Sequence, residues 1–419
     1  MEAETVDHAA HAAHMLTPIA LVTMAALLCG LALIRLRQPA IVGYIVAGLA
    51  LGPTGLGLVS NTENVQLLAE LGVIMLLFII GMELNIRSFK AVMKTALSTA
   101  VLQISCAFAA FWAVGTYFDW PLSKITVFAF ATALSSTAVS IKILEETDDL
   151  RTPVGRTTVS VLVAQDLAVI PMLLIIGAFG VTHTASGNSP GLDIALKLAV
   201  SIGLLVLVSY ALSRKERVVL PLSNWILSRT EIVPLAAMAF CFTWATLSGA
   251  MGLSTAYGAF LAGLIVGNSN VRAAVHEAAE PIQAILLMVF FLSIGLLIDV
   301  DYIIGNWKQV LMVLSIVTLL KTTVNVAILH WVKEPWERAF HSGVVMSQIG
   351  EFSFILVAAG AAAKAISADD YRLMIAVIAL SLLTSPMWLA IARRLHDITL
   401  MRLVGAAIPH NLPPTDEQR

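Results

Sequence analysis

The sequence has 419 residues, of which 58% are hydrophobic and only 12% are charged, and its formal net charge is −2. This composition excludes an ordinary water-soluble domain and is typical of a polytopic membrane protein. The near-zero net charge gives no basis for a nucleic-acid partner. Cys29, Cys106 and Cys241 lie in separate apolar runs at unrelated spacings, so the sequence predicts neither a disulfide framework nor a structural zinc site.

The chain begins with an acidic segment, MEAETVDHAAHAAH, which lacks the positively charged start of a signal peptide. We interpret residues 1–16 as an extracytoplasmic tail. Apolar runs of about 20 residues, the length that a bilayer-crossing helix needs, then follow almost to the end of the chain. They predict thirteen transmembrane helices, centred near residues 26, 48, 74, 104, 134, 168, 203, 240, 261, 288, 318, 351 and 382.

These helices divide into two units of six. The first unit covers residues 17–180, a linker helix covers 191–213, the second unit covers 229–395, and a cytoplasmic tail covers 396–419. The intervening stretch 214–230 is too broken by polar residues to span a membrane, so we expect it to lie at the interface.

The two units resemble each other in sequence. PAIVGYIVAGLALGP at 39–53 aligns with STAYGAFLAGLIVGN at 254–268, an offset of 215 residues that matches Gly48 with Gly263. If the offset is allowed to change by one residue, Gly81 matches Gly295. A sustained register of this kind indicates a duplicated unit. Because one linker helix separates two units of six, their topologies must be inverted, as in many secondary transporters. We therefore predict an all-α polytopic membrane fold with two inverted six-helix repeats.

The positive charges predict the orientation. Nineteen Lys and Arg residues fall on one side of the predicted spans and five on the other. Since cytoplasmic loops carry the excess of positive charge, the amino terminus is predicted outside and the carboxyl terminus in the cytoplasm. The membrane is expected to be a bacterial inner membrane.

Three ionisable residues fall near the middle of predicted spans: Asp166, Lys321 and Glu351. Each would cost about 2.5–3.5 kcal/mol at a lipid-facing position, so each is expected to face protein or water. A lone acid in a transporter-like repeat favours a coupling site for an ion or proton at Asp166, and the alternative is a buried ion pair or a hydrogen bond that packs two helices. Lys321 lies on a polar stripe with Asn325 and is predicted to balance charge.

Two spans carry polar clusters that are poor continuous helices, ATALSSTAVS and MSQIGEFSF. We predict breaks near residues 135–137 and 349–351, and a crossing of the two spans close to Asp166. Unwound helices expose carbonyls that bind a cation. The hydroxyls of Ser135, Ser136 and Thr137 are therefore candidate ligands, and Glu351 is predicted to neutralise the positive ends of the half-helices.

Seven stretches together resemble the Kef-type monovalent cation:proton antiporters, which are bacterial potassium efflux systems. The resemblance extends from about residue 17 to 395, and the matching stretches read QPAIVGYIVAGLALGP, LAELGVIMLLFIIGMEL, ALSSTAVSIKILEE, GRTTVSVLVAQDLAVIP, YGAFLAGLIVGNS, FFLSIGLLID and IGEFSF. The resemblance implies a homodimer in which a core domain carries the ion past a dimerisation domain in an elevator-like motion. It also implies that Asp166 is the ion-carrying acid, Gln165 its neighbour and Lys321 the membrane lysine.

Two departures from the family pattern change what we expect of the regulation and of the cation preference. Kef-type proteins carry a cytosolic nucleotide-binding domain after the membrane part, whereas this sequence ends at PHNLPPTDEQR. We therefore expect no glutathione or nucleotide control within these residues, but a separate cytosolic regulatory subunit is a candidate partner. Sodium antiporters of the wider superfamily have two adjacent acids where this chain has Gln165 and Asp166, so we expect Gln165 to offer the ion a neutral carbonyl oxygen.

The expected function is electroneutral exchange of a monovalent cation, K⁺ ahead of Na⁺, for H⁺, with no cofactor and no metal beyond the transported ion. The alternatives are a Na⁺/H⁺ antiporter of the same fold, a sodium-coupled organic-anion symporter, an iron-related carrier and an ion channel. An enzyme is not expected, because an intramembrane aspartyl protease needs two facing aspartates and only Asp166 lies deep in a span.

Overall fold

The computed structural model describes residues 2–36, 38–58, 62–83, 86–181, 203, 204, 207, 228, 229, 231–251 and 255–407. Within this part of the chain every regular element is a helix and no strand occurs. The predicted all-α class is therefore confirmed.

Seven helices precede the gap after residue 181: α1 Glu2–Arg35, α2 Ala40–Leu51, α3 Thr62–Glu83, α4 Ile86–Tyr117, α5 Leu122–Ala133, α6 Thr137–Glu146 and α7 Pro153–Val181. Eight follow it: α8 Val233–Ala250, α9 Thr255–Gly267, α10 Arg272–Leu297, α11 Val300–Gly305, α12 Trp307–Trp331, α13 Trp336–Val345, α14 Phe352–Ala362 and α15 Ala368–Ala407.

Six stretches in the described residues are long and apolar enough to cross a membrane: Ala96–Tyr117, Leu122–Glu145, Pro153–Gly180, Val233–Ala250, Arg272–Leu297 and Trp307–Trp331. A seventh is the pair Ala368–Ser385 and Met387–Leu395, which bends by 60°. Shorter apolar helices, among them Ala40–Leu51 and Thr255–Gly267, lie near other predicted centres. The protein is thus a polytopic membrane protein, and the predicted centre near 203 lies in a region of which only isolated residues are described.

The helices pack in two groups. In the first, α3 packs on α9 and α10, α2 packs on α1 and α10, and α8 packs on α9. In the second, α4 packs on α5 and α7, α14 packs on α5 and α7, and α12 packs on α13 and α15. The groups touch through α7 with α9 and through α2 with α15.

Glycines permit the close packing inside the first group. A Cβ atom on Gly48 of α2 would lie 2.0 Å from the Leu292 carbonyl oxygen and 2.9 Å from the Gly295 Cα of α10. A Cβ atom on Gly263 of α9 would lie 2.0 Å from the Phe78 carbonyl oxygen and 3.0 Å from the Gly81 Cα of α3. Small residues let membrane helices approach to backbone contact, so neither position tolerates a side chain without a shift of the helices.

Both predicted tails are helical where the structure describes them. Residues 2–16, predicted as a tail, are helical and continue α1, which is rich in alanine, a strong helix former. Residues 396–407, also predicted as a tail, continue α15. The predicted linker helix 191–213 and the interfacial segment 214–230 lie outside the described residues, except for 203, 204, 207, 228 and 229.

Candidate functional site

Two of the spans are interrupted, as the sequence predicted. The first helix pair breaks between Ala133, which ends α5, and Thr137, which begins α6; Leu134 is extended and Ser136 is the N-cap of α6, its Oγ accepting from the Val139 N–H at 3.2 Å. A serine that caps a new helix while its own backbone is extended is a favourable start signal. The second break is longer than predicted, since α13 already ends at Val345 and α14 begins only at Phe352.

The two breaks contact each other directly. The Gly350 N–H donates to the Leu134 carbonyl at 3.0 Å, and the Ser135 hydroxyl donates to the Met346 carbonyl at 2.8 Å. The Gln348 amide donates to the Ser136 carbonyl at 3.3 Å. A Cβ atom on Gly350 would lie 2.8 Å from the Ser135 carbonyl oxygen, so the approach requires a glycine there.

Asp166, the predicted ion-carrying acid, lies in α7 beside this crossing. The Thr137 hydroxyl donates to Asp166 Oδ2 at 2.9 Å, which brings the carboxylate to the first residue of α6. Asp166 is half-buried. A carboxylate at the amino end of a helix lies where the exposed N–H groups and the macrodipole favour negative charge.

Lys321 reaches the opposite end of the same break. Its side chain, on α12, is 7% exposed, and Nζ donates to the carbonyls of Thr132 at 2.9 Å, of Ala133 at 3.2 Å and of Leu134. These are the last carbonyls of α5, which have no partner within their helix. The ammonium therefore caps the negative end of the half-helix.

Glu351 approaches the amino end of α6 from the second break. Its Oε1 accepts from the Ala138 N–H at 3.5 Å, while its Oε2 is buried without a hydrogen-bond partner. Together with Asp166, it places negative charge at the positive end of α6. The first break therefore has a cation at its carbonyl end and two carboxyl groups at its amide end.

Gln165 is fully buried and has neighbours that the sequence did not reveal. Its Oε1 accepts from the Ser135 N–H at 2.8 Å, and its Nε2 donates to Gln103 Oε1 at 2.8 Å. Gln103 in turn donates to Asn325 Oδ1 at 2.9 Å. The sequence analysis placed Asn325 on the polar stripe without a function and did not find Gln103, the one carboxamide of α4.

No group of three or more His, Cys, Asp or Glu side chains that could hold a metal ion occurs among the described residues. What the crossing offers instead is oxygen from the carboxyl groups of Asp166 and Glu351, from hydroxyl groups and from backbone carbonyls. Such oxygens suit a hard monovalent cation or a proton.

Comparison with known proteins agrees with this arrangement. The family description "Sodium/hydrogen exchanger, transmembrane" matches residues 22–392. The iron transporter MagA of Paramagnetospirillum magneticum is 46% identical over 388 residues, which are 93% of this chain and 88% of that protein. K(+) efflux antiporter 5 of Arabidopsis thaliana is 30% identical over 379 residues, which are 89% of this chain but 66% of that protein.

The fold has also been seen in a solved structure. The sodium proton antiporter MjNhaP1 from Methanocaldococcus jannaschii superposes with a TM-score of 0.66 over 90% of this chain and 97% of that chain, at 17% identity. At this identity the likeness establishes the fold alone. The family match, which covers most of the chain, goes further: the chain belongs to the sodium/hydrogen exchanger family and is a cation/proton antiporter.

Proposed function

We propose that this antiporter exchanges K⁺, ahead of Na⁺, for H⁺, and that Asp166 carries both ions in turn. The observation that carries the proposal is the placement of one carboxylate, bonded to the Thr137 hydroxyl, at the crossing of two interrupted helices. A carboxylate that holds a proton has lost the charge that binds a cation, so the two ions compete for it. This competition makes the two ions cross in opposite directions.

Oxygens around the break complete the proposed cation site. Thr137 and Ser136 supply hydroxyl oxygens at the start of α6. Ser135 and Gln165 have a different role from the ligand role first expected. The Gln165 carbonyl oxygen already accepts from the Ser135 N–H of the first break, and the Ser135 hydroxyl already donates to the Met346 carbonyl of the second. We place both as residues that position the break, while Asp166, Thr137 and Ser136 contact the ion.

Lys321 and Glu351 balance charge in this proposal. With Lys321 at the carbonyl end of α5 and Glu351 at the amide end of α6, the half-helix ends are compensated before any ion binds. Asp166 then gains one positive charge, as a proton or as a cation, in each crossing. The exchange is accordingly electroneutral.

The proposed transport cycle is an elevator motion within a homodimer. The separate packing of α1–α3 with α8–α10, and of α4–α7 with α12–α15, supports a scaffold and a mobile core. The 215-residue offset supports inverted repeats, because Ser135 and Gly350, which are that far apart in sequence, contact each other at the crossing. Thirteen spans, an outside amino terminus, a bacterial inner membrane and a separate regulatory subunit complete the proposal.

The choice of cation rests on Gln165. Since this residue cannot titrate, position 165 adds no second acid next to Asp166, which suits a large and weakly hydrated ion such as K⁺. The relative named a K(+) efflux antiporter supports this choice, whereas the relative named an iron transporter makes iron the specific alternative.

The proposal is tested by flux in reconstituted vesicles. An outward H⁺ gradient should drive uptake of K⁺ and, more slowly, of Na⁺, with no uptake of Fe²⁺ and no current on a supported membrane. Asp166→Asn should abolish cation and proton movement together, because an amide keeps the shape but cannot exchange a proton. The matched control is Asp301→Asn, an exposed aspartate at the start of α11.

Three results would contradict the proposal. Exchange by Asp166→Asn at the rate of the unaltered protein removes Asp166 from the mechanism. Proton-linked uptake of Fe²⁺ in preference to K⁺ assigns the alternative substrate. A current that accompanies exchange shows that a second group titrates, since one net charge per cycle would respond to voltage by about 2.3 kcal/mol per 100 mV.

A further inference from the structure

Five buried residues close a ring of hydrogen bonds beside the crossing. Ser135, Gln165, Gln103, Asn325 and Met346, which we call the carboxamide ring, are each at most 3% exposed. The ring starts at the Ser135 N–H, passes through the three carboxamides to the Met346 carbonyl, and returns through the Ser135 hydroxyl to that carbonyl. Every link is between 2.8 and 3.0 Å long.

The ring has only one possible polarity. At one end the Ser135 N–H can only donate, so the Gln165 oxygen must face it and the Gln165 NH₂ must face Gln103. At the other end the Met346 carbonyl can only accept, so the Asn325 NH₂ must face it and the Asn325 oxygen must face Gln103. Each carboxamide therefore accepts one bond and donates the next, and no single amide can turn over without setting two acceptors against each other.

The ring joins elements that must hold still relative to one another. Gln103 lies in α4, Gln165 in α7 and Asn325 in α12, while Ser135 and Met346 belong to the two breaks. All of these helices are in the same packing group. The ring thereby fixes Ser135 immediately before the Ser136 and Thr137 hydroxyls.

We propose that Gln103 and Asn325 are positioning residues that set the geometry of the ion site and that require a neutral amide at position 165. This inference rests on the proposed function for the identity of the ion site, and it adds two residues to it. A carboxylate at 103, 165 or 325 accepts but cannot donate, so it breaks the chain of bonds at any of the three positions. The neutral side chain at position 165, next to Asp166, is thus required by the neighbours of Gln165.

A protonated carboxyl group has the polarity of a carboxamide, because its carbonyl accepts and its O–H donates. Gln103→Glu should therefore keep the ring while the new acid is protonated and lose it as the pH rises and the acid ionises. The ionisable groups near position 103 are Lys321 on α12 and Cys106 on α4, which line the same cavity of about 30 Å³, and Asp166 next to Gln165 on α7. The ionised form of the new carboxyl group would also draw the Lys321 ammonium from the α5 carbonyls, which adds to the loss.

The test compares variant with unaltered protein from mildly acidic to mildly alkaline pH, by K⁺/H⁺ exchange and by thermal unfolding. For Gln103→Glu we expect the ratio of exchange rates to fall about tenfold as pH rises, with the KM for K⁺ rising, because a buried bond is lost. Asn325→Asp should show the same pH profile from the other end of the ring. Gln103→Leu, which cannot bond at all, should be impaired at every pH.

Gln309→Glu is the matched control, since Gln309 is exposed on α12 and should follow the unaltered protein throughout. The inference would be overturned if Gln103→Glu and Asn325→Asp kept the exchange rate and the unfolding temperature of the unaltered protein at every pH. If both variants unfold at lower temperature as pH rises but the unaltered protein exchanges no cation, the ring stands and the proposed function fails. If the unfolding temperature follows pH while KM and the exchange ratio do not, the ring is structural only and the positioning role is overturned.

Discussion

The two helix breaks meet at one point but are stabilised in different ways. The first, between α5 and α6, is three residues long and is compensated by charges, with Lys321 at one end and Asp166 and Glu351 at the other. The second, between α13 and α14, is twice as long and uses neutral partners. Its Ile349 N–H donates to the Ser381 hydroxyl at 3.0 Å, and its Gly350 N–H donates to the Leu134 carbonyl.

In the proposed mechanism, this difference separates the break that contacts the ion from the break that supports it. Because the groups around the first break are charged, their interaction energy with Asp166 changes when Asp166 gains or loses one positive charge. Neutral hydrogen bonds around the second break do not change when Asp166 is protonated or binds a cation. We therefore expect substitutions near the first break to affect both stability and exchange, and substitutions near the second to act mainly through packing.

The largest effect is expected for Lys321→Met. This change keeps an unbranched side chain, one atom shorter, but removes the ammonium that bonds to three carbonyls at the end of α5. Hydrogen bonds to charged groups contribute about 1.5–3 kcal/mol each, so stability should fall by about 3 kcal/mol or more. Thermal unfolding in detergent and exchange in vesicles measure the two losses. Lys308→Met, at an exposed position of the same helix, should change neither, and an unaltered unfolding temperature for Lys321→Met would refute the capping role.

A smaller effect is expected for Gly350→Ala, which inserts a methyl group between the two breaks. The new Cβ would lie 2.8 Å from the Ser135 carbonyl oxygen, so the breaks must separate, at a cost of about 1–3 kcal/mol. Exchange should slow because Ser135 precedes the hydroxyls of the proposed ion site. The control is Gly177→Ala in α7, where a Cβ meets nothing within 4 Å. Equal exchange rates for the two variants would show that the breaks need no close contact.

The smallest effect is expected for Ser381→Ala, which removes a neutral partner of the second break. The buried Ile349 N–H then lacks an acceptor, and stability should fall by about 1 kcal/mol. The KM for the cation should stay close to that of the unaltered protein, because no charge near Asp166 changes. Unfolding temperature and KM are measured beside Ser105→Ala, at an exposed position of α4. A change in KM as large as that of Lys321→Met, at the first break, would contradict the different roles of the two breaks.

The sequence predicted the positions of the breaks because the reasons are local. Clustered hydroxyls and a glycine disfavour a continuous helix, and Ser136 is of a residue type that starts one. It could also be predicted from the sequence that Asp166 and Lys321 face protein or water, because a charged side chain within an apolar run of about 20 residues is costly in contact with lipid. The six or seven long apolar helices among the described residues follow from the same hydropathy.

The partners of Gln165 could not be predicted from the sequence. Adjacent residues of a helix point in different directions, so closeness to Asp166 in sequence does not place the Gln165 side chain at the ion. The Gln165 carbonyl oxygen instead accepts from Ser135, 30 positions away, and its amide meets Gln103 at a separation of 62. Such long-range polar contacts leave no periodic pattern.

The glycine contacts of the first helix group have a consequence for how the molecule could have originated. Gly48 touches Gly295, and Gly263 touches Gly81, while the repeat predicted from the sequence pairs Gly48 with Gly263 and Gly81 with Gly295. One contact therefore becomes the other when the two halves exchange places, which is the rule that governs an isologous dimer of identical subunits. Each half already holds both glycines of the contact. A single half-length ancestor, paired with an oppositely inserted copy of itself, would have needed no new residue to form this interface.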